Sequence, residues 1–183
     1  STFFTQKLDK DQEYLYIDVG GGSTEISLII NGEKEASRSF KIGTLRMLKG
    51  KVPEHRWVDM KDWVKEVTAN KKNIIAIGTG GNINRILKIN RKEDNFLLYK
   101  EIKEVQAYVS SYTLEDRIIV LGLRPDRADV VVPAADIYLA AMKYAGIQKI
   151  LVPKIGLSDG MIYQLYCTQK KKEKEKEKEK EKS

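Results

Sequence analysis

Residues 16–30 read YIDVGGGSTEISLII, and this stretch decides the fold. Two apolar runs flank three consecutive glycines, with Asp18 before the glycines and Ser23, Thr24 and Glu25 after them. The runs have the length and β-branched content of strands, and the glycines permit a tight reversal between them. The stretch therefore predicts a hairpin whose turn carries hydroxyl and carboxylate groups beside exposed backbone amides.

The surrounding sequence predicts a mixed α/β sheet. Residues 14–19, 25–30 and 33–40 are expected to form three antiparallel strands, the last two joined by Asn31-Gly32, a dipeptide favoured in two-residue hairpin turns. Two later strands separated by helices require parallel crossovers, so the predicted fold is a five-stranded sheet with three antiparallel strands, then parallel crossovers, and helices on both faces. The later strands are predicted at 73–77 and 149–152, and the helices at 44–48, 58–69, 82–89, 102–110, 114–121, 127–144 and 159–167.

The chain divides into three segments by composition. A polar lead-in at residues 1–13 precedes one domain at 14–168, and a Lys/Glu tail follows at 169–183. Eight lysines and five glutamates in the tail contribute +3 to the net charge of +7, so the domain itself is only mildly basic. The domain has no basic stripe interleaved with aromatic residues, and specific nucleic-acid binding is not expected. The tail has nothing apolar to bury, so we expect it to be solvated.

Cysteine and histidine usage narrows the chemistry. One cysteine, Cys167, excludes an internal disulfide, and one histidine, His55, excludes a metal cluster built on histidines. His55 lies in a loop-like stretch and is interpreted as a surface residue. No apolar run approaches the ~18–20 residues that cross a bilayer. Residues 1–13 also do not have the basic-then-apolar pattern of a secretion signal, so a cytoplasmic location without membrane contact is expected.

The residue types of the hairpin are those of a phosphate site. Successive glycines let backbone N–H groups converge on an anion, and hydroxyls add further donors. The predicted phosphate-binding residues are Gly20, Gly21, Gly22, Ser23 and Thr24. Asp18 and Glu25 are hard oxygen ligands that suit Mg²⁺ or another divalent cation. The alternative is a glycine-rich turn with incidental acids, which three glycines alone would favour.

A second glycine loop follows the strand at 73–77. The sequence IGTGGNI (77–83) places glycines after a buried strand and just before a helix, where unpaired N–H groups bind phosphate or polar ligands. Its predicted site residues are Gly78, Thr79, Gly80, Gly81 and Asn82. The spacing matches neither the dinucleotide fingerprint nor the Walker motif, so a tight turn remains the alternative.

Two further stretches are compatible with either a site or a structural role. Gly43 and Arg46 in KIGTLRML (41–48) follow the third strand, where a simple turn and helix start is the alternative. In RPDRADVVVPAAD (124–136), Arg127 and Asp129 open a helix, and a structural ion pair or cap is favoured over a ligand contact. Pro133 lies inside that helical pattern, which predicts a kink or a later helix start.

These motifs together resemble a known family. The order of strands and glycine loops is similar to the second domain of the actin-like ATPase (ribonuclease H-like) superfamily. IDVGGGSTEISLI, FKIGTLRML, IGTGGNI, RPDRADVVVPAADIYLAAM and GLSDGMI are more specifically similar to the Ppx/GppA family, whose members are exopolyphosphatases and guanosine pentaphosphate phosphohydrolases. The resemblance covers residues 14–165. It departs from the family pattern at Ser158, which stands where an arginine is usual before Asp159.

The resemblance implies roles for the two glycine loops. Asp18 and Glu25 would be the metal-binding and catalytic acids, and the hairpin glycines would bind the terminal phosphates of the substrate. The loop at 77–83 matches the one that holds a nucleotide in related kinases. The family also has a preceding domain with another phosphate loop and the glutamate that activates water, and residues 1–13 contain neither. We therefore expect this chain to be one half of a module, with the other domain as its partner and a homodimer left open.

The expected function is hydrolysis of a phosphoanhydride, with Mg²⁺, in polyphosphate or guanosine pentaphosphate. The chain alone is expected to be weakly active or inactive, because the general base would come from the other domain. Two alternatives stay open. One is a non-catalytic module that binds polyphosphate or guanosine tetraphosphate, and the other is half of a small-molecule kinase of the same superfamily.

Overall fold

The computed structural model describes residues 11–153. The expectations for residues 1–10, the predicted helix at 159–167, the GLSDGMI motif and the Lys/Glu tail lie outside the described residues. The described elements, in chain order, are β1 (Tyr14–Val19), β2 (Thr24–Ile30), β3 (Glu33–Phe40), α1 (Thr44–Leu48), α2 (Glu54–Val67), β4 (Ile75–Thr79), α3 (Gly81–Ile89), β5 (Phe96–Leu98), α4 (Tyr99–Ser110), α5 (Leu114–Ile119), α6 (Pro125–Ala128), α7 (Val131–Ala145) and β6 (Lys149–Leu151).

These strands form one mixed sheet in the order β3-β2-β1-β4-β6-β5. β1, β2 and β3 pair antiparallel, whereas β4 runs parallel to β1 and β6 runs parallel to β4. The predicted antiparallel start and parallel crossovers are confirmed. The strand count of five is wrong for residues 11–153, because β5 adds a sixth strand that pairs antiparallel with β6. With three residues, β5 is too short to show a strand periodicity in the sequence.

The hairpin between β2 and β3 has the conformation that its sequence predicts. Asn31 and Gly32 have φ angles of 53° and 73°, so both lie in the left-handed region. This geometry defines the primed turns whose twist matches that of the flanking strands. The register of β2 and β3 follows from this turn and contains one irregularity between Leu28 and Ile29.

The main core lies on one face of the sheet. Alternate residues of β1 point to opposite faces, and Leu15, Ile17 and Val19 are buried on the face that packs against the helices. α7 is the central helix of this layer and contacts α1, α2, α3, α4 and β1. The opposite face of the sheet has a smaller buried cluster of Tyr14, Ile29 and Ile77. Helices covering that second face remain a prediction, since the predicted closing helix is outside the described part of the chain.

The helical pattern at 127–144 corresponds to two helices. α6 ends at Ala128 and α7 begins at Val131, so Pro133 falls in the first turn of α7. A proline there removes no helical hydrogen bond, because the first four N–H groups of a helix have no intrahelical acceptor. The prediction of a later start is confirmed, and the prediction of one continuous helix from 127 is wrong.

Other boundaries move by a few residues. α2 begins at Glu54 and α4 at Tyr99, earlier than predicted, and α5 ends at Ile119. His55 consequently lies in the first turn of α2 rather than in a loop, although it is exposed as expected. None of the helices within residues 11–153 is long and apolar enough to cross a membrane.

Candidate functional site

The glycine turn between β1 and β2 is held in place by the start of α1. The N–H of Thr44 donates to the Gly20 carbonyl at 3.1 Å, and the N–H of Leu45 donates to the Gly21 carbonyl at 3.0 Å. The Nε of Arg46 donates to the Gly22 carbonyl at 2.6 Å. The motif at 41–48 is thus the structural support of the turn, and the N-terminal amides of α1 are already occupied by the turn.

These contacts fix the direction of the turn's own amides. The C=O and the following N–H of a trans peptide point in opposite directions, and residues 11–153 contain no cis peptide. Since the Gly20, Gly21 and Gly22 carbonyls point to α1, the next three N–H groups, of Gly21, Gly22 and Ser23, point away from it. Within the described part of the chain, no acceptor pairs with these three N–H groups. Adjacent unpaired amides of this kind form an anion-binding concavity.

Gly43 makes the close approach between α1 and the turn possible. A Cβ placed on Gly43 would lie 2.3 Å from the Gly21 carbonyl oxygen and 2.7 Å from the Gly22 carbonyl carbon. The backbone of Gly43 is extended, with φ −149° and ψ 163°, so it is the lack of a side chain and not an unusual dihedral that requires glycine here. Any other residue would push the turn away from α1.

The two acids of the hairpin lie opposite each other. Asp18 pairs with Glu25 across the antiparallel ladder, on the face of the sheet away from the helices. Burial raises the pKa of Asp18 above its usual value, and the negative charge of Glu25 raises it further. Lys34 Nζ lies 3.9 Å from a Glu25 carboxylate oxygen in an exposed pair, which offsets little of this repulsion. A cation between the two carboxylates would relieve both causes.

The second glycine loop lies beside the first because β1 and β4 are parallel neighbours. Asp18 is level with Thr79 in the sheet, and a Cβ on Gly80 would lie 3.5 Å from the Asp18 Oδ1. Gly80 has φ 100°, a left-handed value that favours glycine. The Nδ2 of Asn82 donates to the Val19 carbonyl at 2.9 Å and ties the start of α3 to the end of β1. The two glycine loops therefore meet at one sheet edge.

Two hydroxyl contacts, one partly buried and one buried, lie between the loops. The Tyr16 hydroxyl and Thr79 Oγ1 are 2.6 Å apart, on the same face as Asp18. The Tyr138 hydroxyl donates to the Thr79 carbonyl at 3.4 Å. Complete burial raises the pKa of Tyr138, and the Asp18 carboxylate raises it further, so this hydroxyl keeps its proton. Tyr138 links α7 to the loop after β4, a role that the helical pattern alone did not indicate.

A small cleft opens where four sequence motifs converge. We call it the glycine cleft, a hollow of about 260 Å³ between the turn after β1, the start of α1, the start of α3 and the α6–α7 segment. Its lining comprises Gly21, Thr44, Leu45, Gly81, Asn82, Arg85, Asp126, Arg127, Val130 and Val131. Asp18 and Glu25 do not line it, since their side chains lie on the other side of the sheet edge. The carboxylates and the cleft thus approach the turn from two sides.

Arg127 belongs to this cleft. Its Nη1 lies 3.6 Å from the position that a Cβ on Gly81 would occupy. Within residues 11–153 no ion pair joins Arg127 to Asp129, so the predicted ion pair is wrong, whereas Asp129 does lie at the C-cap of α6. A guanidinium over the start of α3 can instead contact a ligand in the cleft. Arg85 also lines the cleft and was missed by the sequence interpretation, although it follows the second loop on the next helix.

Two predicted site residues have structural roles. Thr24 is buried on the core side, and its hydroxyl donates to the Ile42 carbonyl at 2.7 Å, so the predicted phosphate contact of that hydroxyl does not fit the structure. Gly78 is inside β4, where a Cβ would lie 2.8 Å from the Ile150 Cδ1. Gly78 therefore permits packing of the sheet and is not part of the loop. Ser23 is exposed, and its proposed contact stays a prediction.

The donor set fits a divalent cation only in part. Within residues 11–153, no group of three or more His, Cys, Asp or Glu side chains could hold a metal ion. Asp18 and Glu25 offer two carboxylates at one point of the sheet edge. Mg²⁺ is commonly held by one or two carboxylates together with waters and substrate phosphate, so two acids beside the turn are compatible with it.

Sheet order and loop positions define the class of domain. Solved structures with a similar fold include the Ppx/GppA phosphatase of Aquifex aeolicus, with a TM-score of 0.67 and 20% identity over 83% of this chain and 56% of that chain. Another is an exopolyphosphatase from Cytophaga hutchinsonii, with a TM-score of 0.66 and 21% identity over 85% of this chain and 57% of that chain. The described residues thus form a mixed α/β domain with the fold of these structures.

Sequence comparison identifies the family. Residues 4–169 match the Ppx/GppA phosphatase family, and the chain belongs to that family. Exopolyphosphatase 1 of Mycobacterium tuberculosis is 22% identical over a 169-residue alignment that covers 81% of this chain and 49% of that protein. The guanosine-5′-triphosphate,3′-diphosphate pyrophosphatase of Photobacterium profundum is 22% identical over 82% of this chain and 33% of that protein. The chain therefore spans about half the length, or less, of these curated relatives.

Proposed function

We propose that this chain provides the phosphate-binding half of the active site of a hydrolase that acts on phosphoanhydrides. The observation that carries the proposal is the direction of three unpaired amides, those of Gly21, Gly22 and Ser23, beside two paired carboxylates. The amides suit the oxygens of a terminal phosphate. The names of the relatives support inorganic polyphosphate or guanosine pentaphosphate as the substrate class.

The residues of the chain divide the work of binding. The turn amides would hold and orient the terminal phosphate, and Arg127 would place a guanidinium against phosphate oxygens in the glycine cleft. Asp18 and Glu25 would hold a divalent cation such as Mg²⁺, which supplies charge neutralisation for the phosphate oxygens when bound. A bound cation would relieve the repulsion between the two carboxylates, and this relief would strengthen cation binding.

Hydrolysis also requires a base that orients the attacking water. Asp18 and Glu25 are assigned to the cation in this proposal. Among residues 11–153, Asp126 is the one carboxylate that lines the glycine cleft. We therefore assign the base to the other half of the module, which the longer relatives contain in the same chain. A cytoplasmic location and a homodimer stay part of the prediction.

Calorimetric titration of tripolyphosphate tests the binding role. With MgCl₂, binding to the wild-type chain should tighten roughly tenfold, equivalent to ~1.4 kcal/mol. Asp18→Asn should lose this Mg²⁺ dependence, because one of two ligands is gone. Asp59→Asn, an equal change at an exposed site on α2, is the matched control and should behave as wild type. Equal Mg²⁺ dependence in wild type and Asp18→Asn would contradict the assignment of the carboxylates.

Phosphate release separates a hydrolase half from a binding module. The chain alone should release phosphate from polyphosphate slowly or not at all, because the base is assigned elsewhere. Turnover of about 1–10³ per second, typical of complete enzymes, would refute the need for a second half. Adding the other half of the module in trans, or fused, should restore turnover. Failure to restore it while tripolyphosphate binding persists would favour the non-catalytic binding module.

A further inference from the structure

A second and larger hollow adjoins the glycine cleft. It has a volume of about 500 Å³ and lies between α3, the end of α4 and the segment that follows α5. We call it the basic pocket, because Arg85, Lys88 and Arg91 line it and no acidic side chain of residues 11–153 does. Arg85 also lines the glycine cleft, so one side chain borders both hollows. The remaining lining is mostly apolar.

The three cations of the basic pocket form no ion pair with residues 11–153. The ion pairs described there join other residues, and no hydrogen bond is formed by the side chains of Arg85, Lys88 or Arg91. Arg85 and Lys88 are three residues apart on α3 and therefore share one face of the helix. The negative C-terminal end of α3 favours cations at Lys88 and Arg91, but it does not account for Arg85 in the middle of the helix.

Arg85 is poorly satisfied in the free protein. Its Nε is buried and has no hydrogen-bond partner within the described residues. Burial lowers the pKa of Arg85 below its usual value, and the positive charges of Arg127 and Arg124 lower it further, against a smaller opposite effect of Asp126. A buried guanidinium nitrogen without an acceptor costs free energy, and a bound anion would remove that cost.

We propose that the basic pocket binds an oligophosphate group next to the glycine cleft, namely the distal units of the polyphosphate chain whose end lies at the hairpin turn. The inference rests on the proposed function and extends it to a chain-length preference. Arginines present a planar fork that matches phosphate oxygens, and lysine adds a point charge. Arg85 would then contact the chain where it passes from one hollow to the other.

The test compares long-chain polyphosphate with tripolyphosphate on the full chain. The variant is Lys88→Gln with Arg91→Gln, since Arg85 lines both hollows and cannot separate them. The control is Lys61→Gln with Lys65→Gln, which removes the same charge from exposed sites on α2. The Lys/Glu tail is present in every protein, so its own attraction for polyanions cancels. Thermal melting by circular dichroism checks that each variant folds.

The pocket variant should bind long-chain polyphosphate roughly tenfold more weakly than wild type and control, and tripolyphosphate within about twofold of them. Unchanged affinity for the long chain would overturn the inference, while Mg²⁺-dependent tripolyphosphate binding through Asp18 would still support the proposed function. An equal loss for both ligands would overturn it too, because the pocket would not be a distal subsite. Weakened guanosine pentaphosphate binding with unchanged long-chain binding would reassign the pocket to the 3′-diphosphate of a nucleotide.

Discussion

Gly43→Ala is the change that most severely tests how the turn is held. Its new Cβ would lie 2.3 Å from the Gly21 oxygen and 2.5 Å from the Gly21 carbonyl carbon, and both are backbone atoms that cannot rotate away. Overpacking of this kind costs about 1–3 kcal/mol. Displacing the turn also weakens the hydrogen bonds from Thr44 and Leu45, at about 1 kcal/mol each. The combined loss is therefore about 3–5 kcal/mol in the free energy of unfolding.

The assay for Gly43→Ala is thermal unfolding followed by tripolyphosphate titration. A loss of this size lowers Tm by about 6–20 °C in a domain of this length. Gly22→Ala is the control in the same loop, because a Cβ there meets nothing within 4 Å, and its Tm should stay within about 2 °C of wild type. Gly43→Ala should also weaken tripolyphosphate binding at temperatures where it remains folded. A Tm within about 2 °C of wild type would refute the close-approach argument.

Three further predictions concern individual side chains. In the absence of metal, Asp18→Asn should raise Tm by up to about 4 °C, since it removes a like-charge pair that costs about 0.2–1 kcal/mol. This gain in Tm should grow as the pH rises above about 4, because the pKa of Asp18 is raised in the folded state. Thr24→Val should cost about 1–3 kcal/mol in chemical denaturation, because the Ile42 carbonyl loses its buried donor. Glu101→Gln should cost about 1–2 kcal/mol at pH 7. Burial opposes ionisation of Glu101, but hydrogen bonds from Lys92 and the Leu98 N–H outweigh it and lower the pKa of this carboxyl. The stability difference should therefore shrink as the pH falls below 4.5, the usual pKa of a glutamate, and vanish as the pH falls through the lowered pKa of the folded state.

Each of these three predictions has an outcome that would contradict it. A lower Tm for Asp18→Asn without metal would contradict the repulsion inferred between Asp18 and Glu25. Unchanged stability of Thr24→Val together with weaker phosphate binding would return Thr24 to the phosphate site. A stability difference for Glu101→Gln that persists unchanged at pH 3 would show that its charge is not what stabilises the start of α4.

The N-terminal part of the domain, from β1 to α1, could be predicted from the sequence because its strands and turns have local sequence patterns. β1, β3 and α1 have the bounds that the sequence indicates, and the Asn31-Gly32 turn fixes the register between two of the strands. β4 is displaced from the predicted 73–77 to Ile75–Thr79, because its ends follow the parallel register with β1 rather than its own apolar run. β5 exists only through pairing with β6, a contact distant in sequence that no local pattern reports.

The site could be predicted in position but not in detail. Glycine loops at the ends of neighbouring parallel strands must meet, so the approach of Asp18 to Gly80 follows from topology. The face of the sheet on which a side chain lies depends on the strand register. This register places the Thr24 hydroxyl on the core side, where it donates to the Ile42 carbonyl. Arg85 carries no motif of its own. Its position between two hollows results from the packing of α3, which the sequence pattern cannot specify.

Backbone amide chemical shifts test the central claim most directly, because the claim concerns particular N–H groups. In a ¹⁵N-labelled chain titrated with tripolyphosphate and MgCl₂, the resonances of Gly21, Gly22 and Ser23 should shift and saturate with one affinity. The amide of Gly20 donates to the Ser23 carbonyl at 2.9 Å and serves as an internal reference that should move less. Saturable binding with these three amides unperturbed would contradict the account, since phosphate would then be held elsewhere on the chain.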